Sequence, residues 1–388
     1  MYHRKNFLSS LTAAKKDFDK KQGVKILADE IIFMALGGAQ EVGASCYFLR
    51  LGEFNCLLDC GQGRRWDNFT PKFETLLMMP YVQDLRKISH VFISHAHLDH
   101  VGALPDFLQL NELATVYMTD LTWRITKMQL AARLSVLAQE KISRITFLQE
   151  IPLRNLTVSF HQAGHIPGAM MTLFKFGRRN ILYTGDYSTF PTPLTGSAIL
   201  PNTKIDVLIL CGLHARHSQY QNNDGAFGKI LSQINFALSR NIPAYCRVNQ
   251  ISKGVELMSA LNKFLPNVEV FVDDKVMDVV HSFESARIRV MNARDHPLNS
   301  FSYKPSVIIS TKPPPHRGFW IINCNFSLHD DFEATANFVR RVNPALCVVV
   351  HSPHDKFFSG ENIAQVLIRN PASRTDFVFP KTGEAIEL

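Results

Sequence analysis

The stretch SHAHLDH, residues 94–100, decides how this chain folds and which chemistry it can perform. It follows a short apolar run that predicts a strand and precedes a predicted helix. Three imidazoles and a carboxylate in six residues are not expected in a hydrophobic core, and a polar surface loop is the less favoured explanation. On an extended turn, His95 and His97 project to the same side and can bind one zinc-like ion, whereas Asp99 and His100 are offset toward a second. The stretch therefore predicts two adjacent metal sites.

Three further ligand candidates lie where later predicted strands end. His165 in HQAGHIPGAM could complete three nitrogens for the first ion, and Asp186 in ILYTGDYS could bridge both ions. A glycine before each of them allows the backbone to turn tightly toward a metal. His351, at the end of the apolar run LCVVV, could supply the last ligand of the second ion. Alone, each would more often be an ordinary turn or strand-end residue, so their order along the chain carries the prediction.

These motifs in this order resemble the metallo-β-lactamase superfamily. The opening GGAQEVGASCYFL and the following LLDCG are similar to the start of its β-CASP branch, which includes ribonuclease J and the mRNA 3′-end-processing endonucleases. The late FSLHDDF and VVVHSPHD resemble that branch's FSAHADY and VHGE segments. The resemblance covers about residues 31–388. It implies an α/β fold, an αββα sandwich with an inserted, shortened β-CASP-like α/β domain.

The resemblance also implies roles for individual residues. Seven metal ligands form two groups around a shared carboxylate: His95, His97 and His165 for one ion, Asp99, His100 and His351 for the other, and Asp186 between them. Asp59 in LLDCG is implied as a carboxylate that supports a metal-binding histidine. His329 in FSLHDDF occupies the position of a histidine that contacts the scissile phosphate or aids the leaving group. A histidine rather than a valine at position 351 is the form found in RNA-processing members, which favours RNA over DNA.

A histidine-rich set with a bridging carboxylate accepts zinc readily and also manganese or iron, and we predict two divalent ions, zinc before manganese. Two ions roughly 3.5–4 Å apart would lower the pKa of a water molecule and hold a phosphodiester for in-line attack. Asp99 or Asp186 could take the proton of that water, and His329 could steady the phosphate or protonate the leaving oxygen. The sequence therefore predicts a two-metal phosphodiesterase, most consistent with a nuclease that acts on single-stranded RNA.

The chain departs from the β-CASP pattern inside the predicted insert. Where the family has an acidic residue, the segment CGLHA begins with Cys211, so the carboxylate that would orient His329 is missing. His214 or His217 could partly substitute, although a surface position in that loop is the favoured interpretation of either. The segment IPAYCRVNQISKGVEL lacks the family's Gly-Arg, and STKPPPHRGFW replaces a glycine-rich stretch. These changes predict a reduced insert with an altered grip on an RNA backbone.

Two other function classes remain open at this point. The eroded motifs of the insert would also suit a hydrolase of a small ester, thioester or phosphodiester, which would turn over small substrates and be indifferent to RNA. An inactive nucleic-acid-binding or scaffold subunit would require losses among the metal ligands. None of the seven ligand positions is lost, so this third class ranks last.

Length and composition suit a globular chain of two compact domains, or of one domain inserted in another. The chain has 388 residues, of which 46% are hydrophobic and 20% charged. No apolar run approaches the roughly 18 residues needed to cross a bilayer, so no membrane partner is expected. The resemblance implies a first part of the core at 30–204, the insert at 205–320 and a second part of the core at 321–388. The seven cysteines form no CxxC pair and, with no apolar signal-like start, predict a reducing cytoplasm.

The formal net charge of +8 suits a polyanionic partner but is unevenly placed. Residues 1–29 contain seven basic and three acidic residues, so half of the net charge lies there. Residues 4–22 place their apolar side chains on one face, which predicts an N-terminal basic helix packed on the body. A solvated basic helix explains this charge as well as a nucleic-acid-binding arm does. The sequence does not indicate the oligomeric state, although the chain's end after the core makes a dimer built by a C-terminal domain unexpected.

Overall fold

The computed structural model describes residues 30–64, 70–216, 226–248, 251–292, 294–354, 361–368 and 375–388. The predicted N-terminal helix at 4–22 and His217 lie outside these residues. Three β-sheets and ten α-helices are present in the described parts of the chain. No helix in these ranges is both long enough and apolar enough to cross a bilayer.

The first sheet has seven strands, in the order β19-β1-β2-β3-β4-β5-β6. Their bounds are β1 Ile31–Gly37, β2 Cys46–Leu51, β3 Phe54–Leu58, β4 His90–Phe92, β5 Thr115–Thr119, β6 Ile142–Ile145 and β19 Ala385–Glu387. Strands β1 to β3 are antiparallel, and β3 to β6 are parallel. Every residue of β1 is buried, because both faces of the strand are covered.

The second sheet also has seven strands, in the order β18-β17-β11-β10-β9-β8-β7. Their bounds are β7 Glu150–Leu153, β8 Leu156–Gln162, β9 Met170–Phe176, β10 Arg179–Tyr183, β11 Val207–Cys211, β17 Leu346–Val350 and β18 Asp376–Val378. Strands β7 to β10 are antiparallel, and β10, β11, β17 and β18 run parallel. The near-continuous apolar runs of β11 and β17 fit central parallel strands, which are buried on both faces.

The two sheets pack face to face, with helices on both outer faces. Phe33 and Phe92 of the first sheet share an apolar core with Phe174 and Tyr183 of the second. The helices of the described chain are α1 Phe73–Leu77, α2 Leu98–Val101, α3 Leu104–Leu110, α4 Asp120–Leu130, α5 Val136–Glu140, α6 Ala226–Ser239, α7 Ile251–Phe264, α8 Asp274–Ser285, α9 Phe332–Val342 and α10 Ile363–Ile368. Helices α1 and α3 cover the first sheet, and α9 and α10 cover the second. The architecture is the αββα sandwich that the resemblance implied.

The third sheet has five parallel strands, in the order β14-β13-β15-β12-β16. Their bounds are β12 Ala244–Arg247, β13 Val270–Val272, β14 Asp295–Pro297, β15 Val307–Ser310 and β16 Trp320–Asn323. We call residues 226–323, which carry this sheet and helices α6 to α8, the inserted segment, because they separate β11 from β17 of the second sheet. The predicted limits of the insert, 205–320, do not coincide with the limits of the third sheet at either end. Strand β11 belongs to the second sheet, and β16 completes the third.

A region of helical apolar spacing, residues 122–139, contains two helices instead of one. Helix α4 ends at Leu130 and α5 begins at Val136. Ser135 caps the second helix by accepting a hydrogen bond from the backbone N–H of Ala138. The apolar spacing continued across the break, so periodicity alone did not reveal the cap.

Candidate metal centre

The predicted ligands come together where strands of both sheets end. Strand β4 leads into the 94–100 stretch, β8 leads to His165, β10 to Asp186 and β17 to His351. The carboxyl ends of the parallel strands lie at one edge of the sandwich, and α/β proteins build their sites at such edges. The fold therefore collects residues that are up to 256 positions apart in sequence, from His95 to His351.

The first group contains His95, His97, His165 and Asp186, whose ligand atoms all lie within 4.8 Å of one another. His97 Nδ1 lies 3.0 Å from His95 Nε2 and 3.2 Å from His165 Nε2. Three ring nitrogens thus converge on one point, as a zinc-like ion with three imidazole ligands requires.

The second group contains Asp99, His100 and His351, again with ligand atoms within 4.8 Å of one another. The two imidazole rings of this group have their centroids 5.1 Å apart. Ser45 was not predicted here, yet its hydroxyl lies 2.9 Å from His351 Nδ1 and 3.4 Å from His100 Nε2. Ser45 lies in the GGAQEVGASCYFL opening, but only tertiary packing brings it to His351.

Asp186 lies between the two groups and directs one oxygen toward each. Its Oδ2 is 3.7 Å from both His95 Nε2 and His165 Nε2, and its Oδ1 is 3.4 Å from His100 Nε2. Among the described residues, Oδ1 is a buried carboxylate oxygen without a hydrogen-bond partner. A buried and unpartnered carboxylate oxygen is costly unless a cation completes its surroundings. The residues therefore fit divalent metal ions, and the cluster is able to bind metal.

Tight turns position the ligands, as the two preceding glycines predicted. Gly164 and Gly185 have φ values of +77° and +54°, in the region that favours glycine. A side chain at Gly185 would place its Cβ 2.4 Å from Ser94 Cβ, so this turn also needs the space. His351 itself has φ +51°, a conformation that non-glycine residues rarely adopt and that is found at functional sites.

Asp59 contacts the ring nitrogen of His100 that points away from Asp186. Its Oδ2 lies 2.7 Å from His100 Nδ1 and accepts a hydrogen bond from Tyr183, while Ser94 donates to both of its oxygens. Asp59 is fully buried and has φ +59°. An acceptor at Nδ1 places the proton there and leaves Nε2 of His100 facing Asp186, which is the orientation that a metal ligand needs.

Burial and charge set the protonation of the group. Burial lowers the pKa of His97 to about 4, with His165 contributing in the same direction, and burial also lowers the pKa of His95. These imidazoles are therefore neutral at pH 7, as metal ligands must be. Burial alone would raise the pKa of Asp186, but the neighbouring histidines, His100 first, lower it well below its ordinary value. The carboxylate is thus charged.

His329 lies beside the shared carboxylate. Its Nε2 is 3.8 Å from Asp186 Oδ2, and its ring centroid is 4.4 Å from that of His165. The ring of His214 meets it edge-on at 6.3 Å. The thiol of Cys211 instead lies 3.8 Å from the Tyr183 hydroxyl. His329 is thus placed at the centre, although the side chain at position 211 offers no carboxylate.

The inserted segment reaches the first group through Ser252, which was not predicted. The Ser252 hydroxyl, in the first turn of α7, is 3.0 Å from His97 Nε2. The backbone carbonyl of Leu328 similarly lies 2.9 Å from His165 Nδ1. These partners occupy the second nitrogen of each ring and leave the other facing the cluster. Neither contact follows a local sequence pattern.

Comparison with known sequences identifies relatives of this chain. A profile of the "Metallo-beta-lactamase superfamily" matches residues 39–222. The chain is 24% identical to "Cleavage and polyadenylation specificity factor subunit 3-I" of Arabidopsis thaliana over 98% of its own length. It is 29% identical to "Probable RNase MJ4" of Methanocaldococcus jannaschii over 64% of its length and 29% identical to "Endoribonuclease ysh-1" of Neurospora crassa over 61%. It spans 66%, 60% and 30% of these relatives, less than two thirds of each.

A solved structure shares the fold. "Crystal Structure of a Protein of Unknown Function from Enterococcus faecalis V583" aligns over 92% of this chain and 100% of the other, with a TM-score of 0.62. The two sequences are 12% identical, so the likeness concerns the fold alone.

Proposed function

Because this chain belongs to the metallo-β-lactamase superfamily, in its β-CASP branch, we propose that it is a metal-dependent phosphodiesterase that cleaves single-stranded RNA. The observation that carries the proposal is the sharing of Asp186. One of its oxygens faces the first group of ligands and the other faces the second, and His329 lies at the same carboxylate. This arrangement suits hydrolysis of a phosphodiester, in which the phosphate is bound, attacked by water and separated from its leaving group at one place.

We assign the two ligand groups to two divalent ions, with Asp186 between them and with zinc ahead of manganese. Most of the proposed ligands are imidazole nitrogens, which favour zinc, and the carboxylate ligands also suit manganese. Such ions, when bound, activate water near neutral pH and neutralise charge on the phosphodiester. Asp59 supports this assignment because it fixes the ring of His100, and Ser252 does the same for His97.

The chain's own residues can move the protons of the reaction. Asp99 is half-buried at the edge of the second group, and Asp186 is charged and buried, so either can accept a proton from the attacking water. His329 lies beside His165 and the Oδ2 oxygen of Asp186, where its Nε2 can donate a hydrogen bond to a phosphate oxygen or to the leaving oxygen. The carbonyl of Leu328 and the turn at Ser327 fix the backbone that presents it.

Two features support RNA as the substrate. The names of the relatives include an endoribonuclease and an RNase, and position 351 carries the histidine of RNA-processing members. Apart from these two features, a small and mainly apolar cleft lies beside His97 between the sandwich and the inserted segment. Apolar side chains from both sides line it: Ile125, Ile166 and Leu194 from the sandwich, and Val279 and Phe283 from the inserted segment.

Cys211 favours a second candidate function. Without a carboxylate at this position, His329 has only Asp186 as a carboxylate neighbour within 4 Å among the described residues. A small phosphodiester or ester with a good leaving group needs less help from a proton donor than RNA does. A small-molecule hydrolase is therefore the alternative that the same experiment has to address.

The test is cleavage of end-labelled single-stranded RNA by purified protein loaded with Zn²⁺ or Mn²⁺. The variant D99A/H100A removes two ligands of the second group, and D120A/H281A is its matched control on the surface. We expect cleavage by the wild type and by the surface control, and loss of cleavage in D99A/H100A and after chelation. Hydrolysis of bis(p-nitrophenyl) phosphate without any RNA cleavage, with both ions bound, would contradict the ribonuclease and favour the small-molecule hydrolase.

We also propose a cytoplasmic location. All seven cysteines are buried and unpaired, which suits a reducing compartment.

A further inference from the structure

Helix α7 of the inserted segment makes two polar contacts with the sandwich, one helical turn apart. Ser252 contacts His97 of the first ligand group, as described above. Glu256 follows four residues later and therefore lies on the same face of the helix. The helix thus reaches both the metal centre and the loop that follows Asp186.

The Glu256 carboxyl is 1% exposed and is held by one short segment of the sandwich. Its Oε1 accepts hydrogen bonds from the Thr192 hydroxyl at 2.7 Å and the Thr195 hydroxyl at 3.3 Å, and its Oε2 accepts from the backbone N–H of Leu194 at 3.3 Å. All three donors are neutral, and among the described residues no basic side chain forms an ion pair with Glu256. A buried carboxyl with neutral partners costs stability compared with an apolar contact, so its presence calls for a role in positioning.

The segment that Glu256 holds is tied to the metal centre at its other end. We call residues 188–198 the Asp186 loop, because they begin two residues after Asp186. Backbone hydrogen bonds from Ser188 to Ala163 and from Ala198 to Ser188 anchor the loop next to the turn that carries His165. Leu194 of this loop and Ser252 of α7 also line the cleft beside His97. Glu256 therefore joins the inserted segment to the loop where the two sides of the cleft meet.

We propose that Glu256 is a positioning residue that fixes helix α7 against the Asp186 loop and thereby sets how the inserted segment meets a nucleic acid chain bound at the metal centre. The inference rests on the proposed function. It concerns a substrate long enough to touch both the sandwich and the inserted segment. A small phosphodiester that contacts only the metal centre does not need contact with the inserted segment.

The test compares two substrates in three proteins: the wild type, E256A and E256Q. The substrates are a single-stranded RNA and bis(p-nitrophenyl) phosphate, and binding of fluorescein-labelled RNA to the metal-free proteins provides a readout apart from activity. We expect E256A to lower kcat/KM for RNA at least 10-fold and to weaken RNA binding, while kcat/KM for the small diester changes less than threefold. Glutamine keeps an oxygen for Thr192 and should restore most of the RNA activity.

D273N is the matched control. Asp273 is also a buried carboxylate of the inserted segment, but its partners Ser310, Thr311 and Val276 all lie within that segment. It should therefore affect the two substrates equally, even if it lowers thermal stability. Equal losses for RNA and small diester in E256A, or unchanged RNA cleavage, would overturn the inference. A wild type that cleaves neither substrate would instead refute the proposed function, so the two failures are distinguishable.

Discussion

Asp59 fixes the ring of His100, a proposed metal ligand, although Asp59 itself belongs to neither ligand group. It is fully buried, and its two oxygens serve His100, Tyr183 and both the amide and hydroxyl of Ser94. Because Ser94 opens the ligand stretch, Asp59 aligns the backbone of that stretch and the ring of His100 together. The LLDCG segment predicted a supporting role for Asp59. Its hydrogen bonds from Tyr183 and Ser94 could not be predicted, because they form only when the two sheets pack together.

Replacing Asp59 by asparagine should weaken metal binding more than it weakens the fold. In asparagine an NH₂ group would replace the carboxylate oxygen that now accepts from Ser94 and Tyr183 and contacts His100. An NH₂ group cannot accept these hydrogen bonds, so His100 would lose its partner at Nδ1. Partners of this kind typically contribute about 10–100-fold to metal affinity. Competition with a chelator should reveal this loss for D59N. D206N is the control, because Asp206 accepts a hydrogen bond from the backbone N–H of Asn180, away from the metal centre. This variant should leave the metal affinity unchanged.

His329→Ala tests the proton donor separately from the ligands. His329 lies near Asp186 but belongs to neither ligand group. We expect kcat for RNA to fall by about 10²–10⁴-fold, the usual range for removal of a general acid, while the metal content stays at the wild-type value. Metal analysis and single-turnover RNA cleavage would be measured on the same preparations. Loss of metal together with activity would show that the residue acts as a ligand instead.

At the scale of elements, the 94–100 stretch depends on the close approach of the LLDCG segment. Gly61 N–H donates to the carbonyl of Ser45, and a Cβ at Gly61 would lie only 1.7 Å from the Asp99 carbonyl oxygen. Only a residue without a side chain allows this packing. The turn after β3 therefore places the backbone of α2, and with it the proposed ligands Asp99 and His100.

Gly61→Ala should displace α2 and abolish binding of the second of the two proposed ions. The clash is with backbone atoms, so relaxation requires movement of the turn, and we expect the variant to lose several kcal/mol of unfolding free energy, roughly 3 or more. Metal stoichiometry near one per chain and a lower melting temperature would be the result. Gly228→Ala is the control in helix α6, where a Cβ meets open space and alanine should stabilise by about 0.5–1 kcal/mol.

The sequence predicted those elements whose signals are local. Strand β4, the ligand stretch and the glycine turns before His165 and Asp186 each follow from a pattern of a few residues, and the structure brings these ligands together. The pairing of β19 with β1 and the placement of β16 in the third sheet depend on distant partners, so composition and periodicity did not indicate them. Ser252 was missed for the same reason, since a serine in a helix carries no signal until its partner His97 is placed beside it.

At the scale of the whole molecule, two buried carboxyls tie distant parts of the chain to the Asp186 loop. Asp330, next to His329, accepts hydrogen bonds from the amide and hydroxyl of Thr189. Glu256 of the inserted segment holds Thr192, the Leu194 amide and Thr195. Burial raises the pKa of Asp330 to about 6 and that of Glu256 to about 7. Both carboxyls therefore change protonation close to neutral pH, and the stability of their contacts with the Asp186 loop should depend on pH.

The clearest consequence is a pH-dependent difference in stability between the wild type and E256Q. A carboxyl with a higher pKa in the folded than in the unfolded chain binds more protons when folded, so its contribution is present below the ordinary pKa of 4.5 and is lost as the pH rises through about 7. The wild type should thus lose up to about 3 kcal/mol relative to E256Q between pH 5 and pH 8.

Urea unfolding of metal-free proteins across this range would measure that difference, in which the titration of Asp330 cancels because both proteins retain it. D273N provides the opposite case. The hydrogen bonds of Asp273 lower its pKa although burial opposes them, so its difference from the wild type should stay constant above pH 5. A constant difference for E256Q as well would mean that Glu256 remains charged throughout. The Asp186 loop would then hold a carboxylate whose partners offset its burial, and the contact between the inserted segment and the sandwich would be insensitive to pH.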